Sequence, residues 1–191
     1  MENLVISKIT VDDVAQLQQI STRTFYETFA AVNTEADMAH YLTESLSAGK
    51  LTHELSNEQS QFYFATIDNV VVGYLKLNLG EAQTELRDKA GLEIERIYVL
   101  KEFHGKKVGQ LLYNKAIEIA NEIRAEYVWL GVWEKNFRAM SFYKKNGFVE
   151  FDQHVFMLGT DKQTDIMMKK ILPPGDSSPS NAATANESIA L

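Results

Sequence analysis

The sequence predicts a mixed α/β sheet with helices on both faces, and three observations carry that reading. Strand-like and helix-like runs alternate in the order β-α-α-β-β-β-α-β-α-β-β. Two apolar runs, QFYFATI and VVVGYLKLNL, flank Asp68-Asn69, a two-residue hairpin signal. YVWLGV is almost wholly apolar, as expected of a central strand buried on both faces.

Each element has its own local signal. LVISKI opens the chain as a short strand. Thr10 with Asp13 three residues on reads as a capping box. Val14, Leu17, Phe25 and Phe29 then form one apolar helical stripe, and ADMAHYL (36–42) reads as a second helix. GLEIERIYVL is a strand, and Val108, Leu111, Leu112, Ala116, Ile119, Ala120 and Ile123 follow at helical spacing. Asn136 to Asn146 reads as a helix stopped by Gly147, and FVEFDQHVFML and QTDIMMKKI close as strands. No internal repeat is present.

Composition bounds the function. The chain has 191 residues, which suits one domain. The domain is read as 1–172. Residues 173–191 are read as a disordered tail, because PPGDSSPSNAATANESIAL holds all three prolines and few large apolar residues. There is no cysteine, which excludes a thiolate nucleophile, a disulfide framework and a Cys-based zinc site. His40, His53 and His154 show no metal-ligand spacing, so no metal is expected. MENLVISKIT does not resemble a secretion signal, and no run of about 18 apolar residues occurs, so a cytoplasmic protein is expected. The net charge of -7 argues against a non-specific nucleic-acid binder and sits more easily with a cationic or amine-bearing substrate.

The loop HGKKVGQ lies between a strand and a helix. The first amides of a helix have no internal partner, and glycine lets a ligand approach them closely, so an anion site is one reading. A plain strand-to-helix turn with solvated lysines is the other. The Walker spacing GxxxxGK[ST] is absent, and so is a full GxGxxG. Further on, WEKNFRAMSFYKKNGF puts Asn136, Ala139 or Met140, Tyr143 and Gly147 on one helical face, with Phe137 and Phe142 left to serve the core. A small residue beside a hydroxyl suits a ligand lying along the helix.

Together these stretches resemble the GNAT superfamily of acetyl-CoA-dependent N-acetyltransferases. HGKKVG (104–109) occupies the place of the phosphate loop [RQ]-G-x-G-x-[GA]. Asn136, Ala139, Phe142, Tyr143, Gly147 and Phe148 match N-x-x-A-x-x-F-Y-x-x-x-G-F without a gap. SNEQSQFYF, LEIERIYVL, WLGVWEKN, FYKKNGF and QTDIMMKK are similar to the PaiA-type spermidine/spermine N-acetyltransferases. His104 stands where Arg or Gln is usual. Lys107 replaces the middle glycine, a change expected to be tolerated if the backbone there is already helical. Leu100-Lys101 stands where a proline is common.

The resemblance implies a mostly antiparallel sheet of about seven strands, splayed at the centre for coenzyme A. It also implies acetyl-CoA as cosubstrate, with its pantetheine arm paired to the strand at Ile97, Tyr98 and Val99. The pyrophosphate would lie on His104, Gly105, Lys106, Lys107, Val108, Gly109 and Gln110. Asn136, Ala139, Tyr143 and Lys145 would complete the cofactor site. Expected partners are a small-molecule amine, with no nucleic acid and no membrane; a homodimer is left open.

The chemistry follows from pKa values. An alkylammonium with a pKa of about 10 leaves roughly 0.1% neutral nucleophile at pH 7, a handicap of about 4 kcal/mol. Glu93 and Glu95 alternate with Ile94 and Arg96 on the strand and are jointly expected to include the base, directly or through water. Tyr143 keeps its proton at neutral pH and is expected to protonate the leaving thiolate, or else to serve as packing. Direct transfer needs only positioning and proton handling. Glu27, Glu35, Asp37 and Glu44 could attract a polyamine, Tyr26 or Phe29 could line its alkyl chain, and Glu95 could contact it. The alternatives are another amine (a peptide N-terminus, a lysine or an amino-sugar), a CoA-binding regulatory module, or a protein-interaction module using the tail.

Overall fold

The computed structural model describes residues 3–158 and 161–174. In chain order the elements are β1 (Leu4–Lys8), α1 (Val14–Phe29), α2 (Glu35–Ser45), α3 (Ala48–Leu55), β2 (Ser60–Ile67), β3 (Val70–Leu79), β4 (Gly91–Val99), α4 (Val108–Glu122), β5 (Tyr127–Trp133), α5 (Phe137–Lys145), β6 (Val149–Leu158) and β7 (Asp161–Ile171). The seven strands form one sheet in the order β1-β2-β3-β4-β5-β7-β6. Every neighbouring pair is antiparallel except β4 and β5. The expected tail lies outside the described residues from 175 onward. No described helix is long and apolar enough to cross a membrane.

Local chemistry explains most boundaries. Thr10 and Asp13 close the capping box ahead of α1. Asp68 and Asn69 both take positive φ, the two-residue turn that matches strand twist. One helix was not anticipated from the sequence: α3, AGKLTHEL, capped by Ser47, whose side chain accepts from the Lys50 amide. Eight residues give too short a window for a periodicity to stand out.

The helices divide between the faces. Leu17, Ile20, Phe25 and Phe29 of α1 bury against Phe62, Phe64 and Tyr74 with Met38 and Leu51 of the other two early helices. Leu112, Ala116 and Ile119 of α4 and Tyr143 of α5 pack on the opposite face over Leu75, Leu77 and Ile94. Phe137 does not join this core; it is 74% exposed, because it sits about 100° round the helix from Asn136.

Two irregularities in β4 shape the centre of the sheet. Lys76 opposes Arg96 and Leu77 opposes Ile94, which leaves Glu95 as an extra residue. This bulge breaks the expected alternation and brings Glu95 and Arg96 into one ion-pair cluster with Lys76 of β3 and Glu54 of α3. In addition, β4 pairs with β5 only from Gly91 to Glu93, after which the two parallel strands separate.

Candidate active site

The separation of β4 from β5 opens two connected spaces. On the α4–α5 side lies a cleft of about 540 Å³, lined by Ile97, Tyr98, Val99, Gly105, Lys107, Val108, Gly109, Gln110, Asn136, Ala139, Phe142 and Tyr143, among others. On the α1–α3 side lies a cavity of about 300 Å³. Ile97, Tyr98, Asn136, Ala139 and Tyr143 line both, so the spaces meet there.

The cleft is built largely from backbone. Leu100 N–H donates to Val72, so by antiparallel alternation the polar groups of Val99 and Ile97 face the gap. The first three amides of α4, at Val108, Gly109 and Gln110, have no carbonyl partner among the described residues. Gly105 takes φ +82, and a Cβ built there would meet nothing within 4 Å. The cleft therefore presents a strand edge with no strand partner, a helix N-terminus and open room above the loop. Lys107 differs from expectation: it is left-handed at φ 64, not helical. The family's middle glycine thus answers a backbone requirement, one this chain meets at a cost of about 1–2 kcal/mol.

His104 caps the cleft edge. Its Nε2 lies 2.8 Å from the Val99 carbonyl, and the Arg138 guanidinium meets Nδ1. A guanidinium only donates, so Nδ1 must accept and Nε2 must carry the proton. Burial pushes the imidazole below its ordinary pKa, consistent with this neutral form.

The cavity is built from side chains. Phe29, Tyr41, Tyr74, Tyr98 and Trp133 form aromatic walls, and Glu85, Glu93, Glu95, His154 and Asp165 supply polar groups. Glu95 is fixed by Lys76 at 2.6 Å and Arg96 at 3.0 Å, and Glu54 of α3 by the same two cations, each at 2.9 Å. Burial alone would raise Glu95, but Arg96, Lys76 and the hydrogen bond from Asn78 outweigh it and hold the carboxyl at about 2. Glu93 behaves oppositely. It is 2% exposed, and burial raises its pKa against hydrogen bonds from Thr84 and Asn78, with Glu95 adding to the rise. Asp165 is also raised by burial. Tyr143 is pushed well above the ordinary phenol value by burial, so it holds its proton.

The model of the acetyltransferase (GNAT) family matches residues 15–148. The chain belongs to this family. It is 41% identical over 172 residues, 90% of the chain and 99% of the relative, to an uncharacterized N-acetyltransferase in the pepI 3′ region of Lactobacillus delbrueckii subsp. lactis. It is 28% identical over 172 residues, 88% of the chain and 98% of the relative, to the spermidine N(1)-acetyltransferase of Thermoplasma acidophilum. The crystal structure of PaiA N-acetyltransferase from Thermoplasma acidophilum in complex with coenzyme A superposes with a TM-score of 0.75 at 25% identity, covering 89% of this chain and 99% of that one. The protein is an acetyl-CoA-dependent acyltransferase, and its strand edge without a strand partner, α4 amides without a carbonyl partner among the described residues and open loop fit that cosubstrate.

Within this acetyltransferase the expected site residues divide. Most of the expected cofactor residues, His104 included, line the cleft. Lys145 does not: it lies with Phe137 and Lys144 on another face of α5, about 200° round the helix from Tyr143. Lys106 also lies outside the cleft lining, its ammonium 4.7 Å from the Phe103 ring centre. On the substrate side, Phe29 and Glu95 line the cavity. Tyr26 is 56% exposed on the outer face of α1, one residue past the buried Phe25. Glu27 lines the cofactor cleft, where it accepts from the Lys101 amide at 2.8 Å and from Arg23. Glu35, Asp37 and Glu44 are not among the cavity's lining residues, and Asp37 accepts from the Thr34 hydroxyl beside the N-cap of α2.

The polar groups missed by sequence reasoning are Glu54, Lys76, Asn78, Glu85, Arg96, His154 and Asp165. One signal was available: Lys76 and Asn78, two apart, interrupt the otherwise apolar VVVGYLKLNL and so share one strand face.

Proposed function

We propose that this acetyltransferase moves the acetyl group to a primary amine of a polyamine of the spermidine or spermine class. The observation that carries this reading is the unbalanced negative charge of the cavity beside the cleft. Lys76 and Arg96 balance Glu54 and Glu95 by direct ion pairs. Glu85, Glu93 and Asp165 are left facing the cavity, with His154 3.6 Å from Glu85. A flexible polycation suits such a space, its alkyl segments on the aromatic walls and a distal ammonium at Glu85 and Asp165. The likeness to a spermidine acetyltransferase supports the same class.

The proton handling divides between two residues. Acetyl-CoA supplies an acyl group activated as a thioester. Glu93 takes the proton from the substrate ammonium, directly or through one water, and so frees the amine lone pair to attack the thioester carbonyl. Its raised pKa makes it the better base, whereas Glu95, held at about 2 by two cations, has little affinity for a proton. Tyr143, at the junction of cleft and cavity, gives its proton to the departing thiolate as the carbon–nitrogen bond forms and the carbon–sulfur bond breaks.

The test is free-CoA release from acetyl-CoA with purified protein and a panel of amines. Selective turnover of spermidine and spermine is expected. Turnover of peptide N-termini, lysine or amino-sugars alone would overturn the polyamine reading, and CoA binding without turnover would leave a regulatory module.

A further inference from the structure

We infer that Asn78, held in one orientation by Ser60, is the positioning residue of the catalytic base. This rests on the reading of Glu93 as that base. Ser60, Asn78 and Glu93 stand directly opposite one another on β2, β3 and β4, forming a polar row across the sheet. Asn78 is 0% exposed in a strand whose neighbours Leu75 and Leu77 are fully buried. Such a side chain is retained only if its groups are paired.

The pairing is complete and directional. Asn78 Nδ2 donates to Glu93 Oε2 at 3.0 Å and to Glu95 Oε2 at 2.5 Å. Ser60 Oγ donates to Asn78 Oδ1 at 3.0 Å. The two carboxylates only accept, so both N–H groups must point at them and the oxygen end is left to take the Ser60 hydroxyl proton. Turned round, the amide would place an oxygen lone pair against two anions. The carboxylates at one end and the serine hydroxyl at the other lock the amide, and the amide fixes the separation of two carboxylates that would otherwise repel.

The lock sets both the aim and the charge of Glu93. Thr84 holds Glu93 Oε1 through its hydroxyl and Oε2 through its amide. Across the row, Lys76 and Arg96 anchor Glu95 and Glu54. Glu85, His154 and Asp165 face the same cavity, and Trp129 of β5 stands opposite Glu93. Of these groups, Asn78 alone touches both Glu93 and Glu95.

The experiment is the pH profile of kcat for Asn78→Ala and Ser60→Ala, with Glu93→Gln beside them and thermal melts of all three. Losing two N–H donors to carboxylates favours their protonated forms, so Asn78→Ala should move the acid limb up by about one pH unit. Ser60→Ala, a small change at the sheet's rim, should move it in the same direction by less. The KM for acetyl-CoA should stay within about twofold in both, since neither residue reaches the cleft. Glu93→Gln should abolish the acid limb. An unmoved limb in both Asn78→Ala and Ser60→Ala, with Glu93→Gln inactive, would overturn the positioning role and leave the base standing. An intact limb and rate in Glu93→Gln would overturn the base, and the inference with it.

Discussion

The two spaces on either side of the splayed strands are made of different material. The cofactor cleft is shaped by main chain: a strand edge at Ile97 and Val99, free amides at the start of α4, and a loop with two left-handed residues, Gly105 and Lys107. The neighbouring cavity, the proposed amine site, is shaped by side chains drawn from α1, α2, β3, β4, β5, β6, β7 and the loop after β3. A ligand common to many enzymes can be held by backbone, whose geometry survives most substitutions. Discrimination among amines needs charges and rings placed one by one. The cavity side should therefore lose most from single substitutions, and the cleft side least.

The largest effect is expected at Glu95. Its replacement by Gln leaves Lys76 and Arg96 sharing only Glu54 in a buried setting, which should cost about 3–5 kcal/mol in chemical denaturation. The pH dependence should change with it. A carboxyl held at about 2 instead of its ordinary 4.5 contributes stability that is full above about pH 5 and is lost as pH falls through 2, worth about 3 kcal/mol. Glu93 works in the other sense: its raised pKa contributes at low pH and is lost as pH rises through the folded value, offsetting part of the slope. Glu95→Gln should flatten the acid arm of the stability curve. An unchanged arm would mean that the four-charge cluster contributes nothing to folding.

Next comes Tyr143→Phe, which removes one oxygen from a fully packed ring. General acid catalysis of this kind contributes at least about a hundredfold, so kcat should fall by that factor with the KM for acetyl-CoA little changed. A fall of less than threefold would make the ring a packing element between the two spaces. Steady-state kinetics with saturating amine decide between the two.

Legibility in the sequence divides along the same line. The seven strands, the hairpin at Asp68-Asn69, the α4 entry and the Asn136–Tyr143 face could all be read, because each depends on neighbours a few residues apart. The cavity could not. Its members are separated by up to 140 residues, from Phe25 to Asp165, and nothing local marks Glu85 or Asp165 as facing inward. The bulge at Glu95 was equally invisible, since one extra residue in a strand leaves no compositional mark. Tyr26 and Lys145 lie outside the cavity and the cleft because assigning a residue to a helix does not fix the face it takes, which changes by 100° with each step.

On the cleft side Gly105→Ala is the sharper probe. The added methyl meets nothing, so any loss comes from forcing φ +82 on an L residue, about 1–2 kcal/mol. Stability should fall by that amount, and the KM for acetyl-CoA should rise severalfold as the loop relaxes. A change in KM without a change in stability would show the methyl blocking the ligand instead.

Lys107→Gly tests the same loop from the opposite direction and should give the smallest effect. At φ 64 the lysine carries left-handed strain that glycine would relieve, while glycine's freer unfolded chain takes back part of the gain. A net stabilisation of about 1 kcal/mol or less is expected in a thermal melt. If backbone amides hold the pyrophosphate, the KM for acetyl-CoA should change less than about threefold, with a weak dependence on salt. A tenfold rise in KM that tracks ionic strength would instead give the lysine ammonium a direct share in the phosphate contact. Side-chain charge would then matter on both sides of the splayed strands, and the division between a backbone-built cleft and a side-chain-built cavity would be a difference of degree.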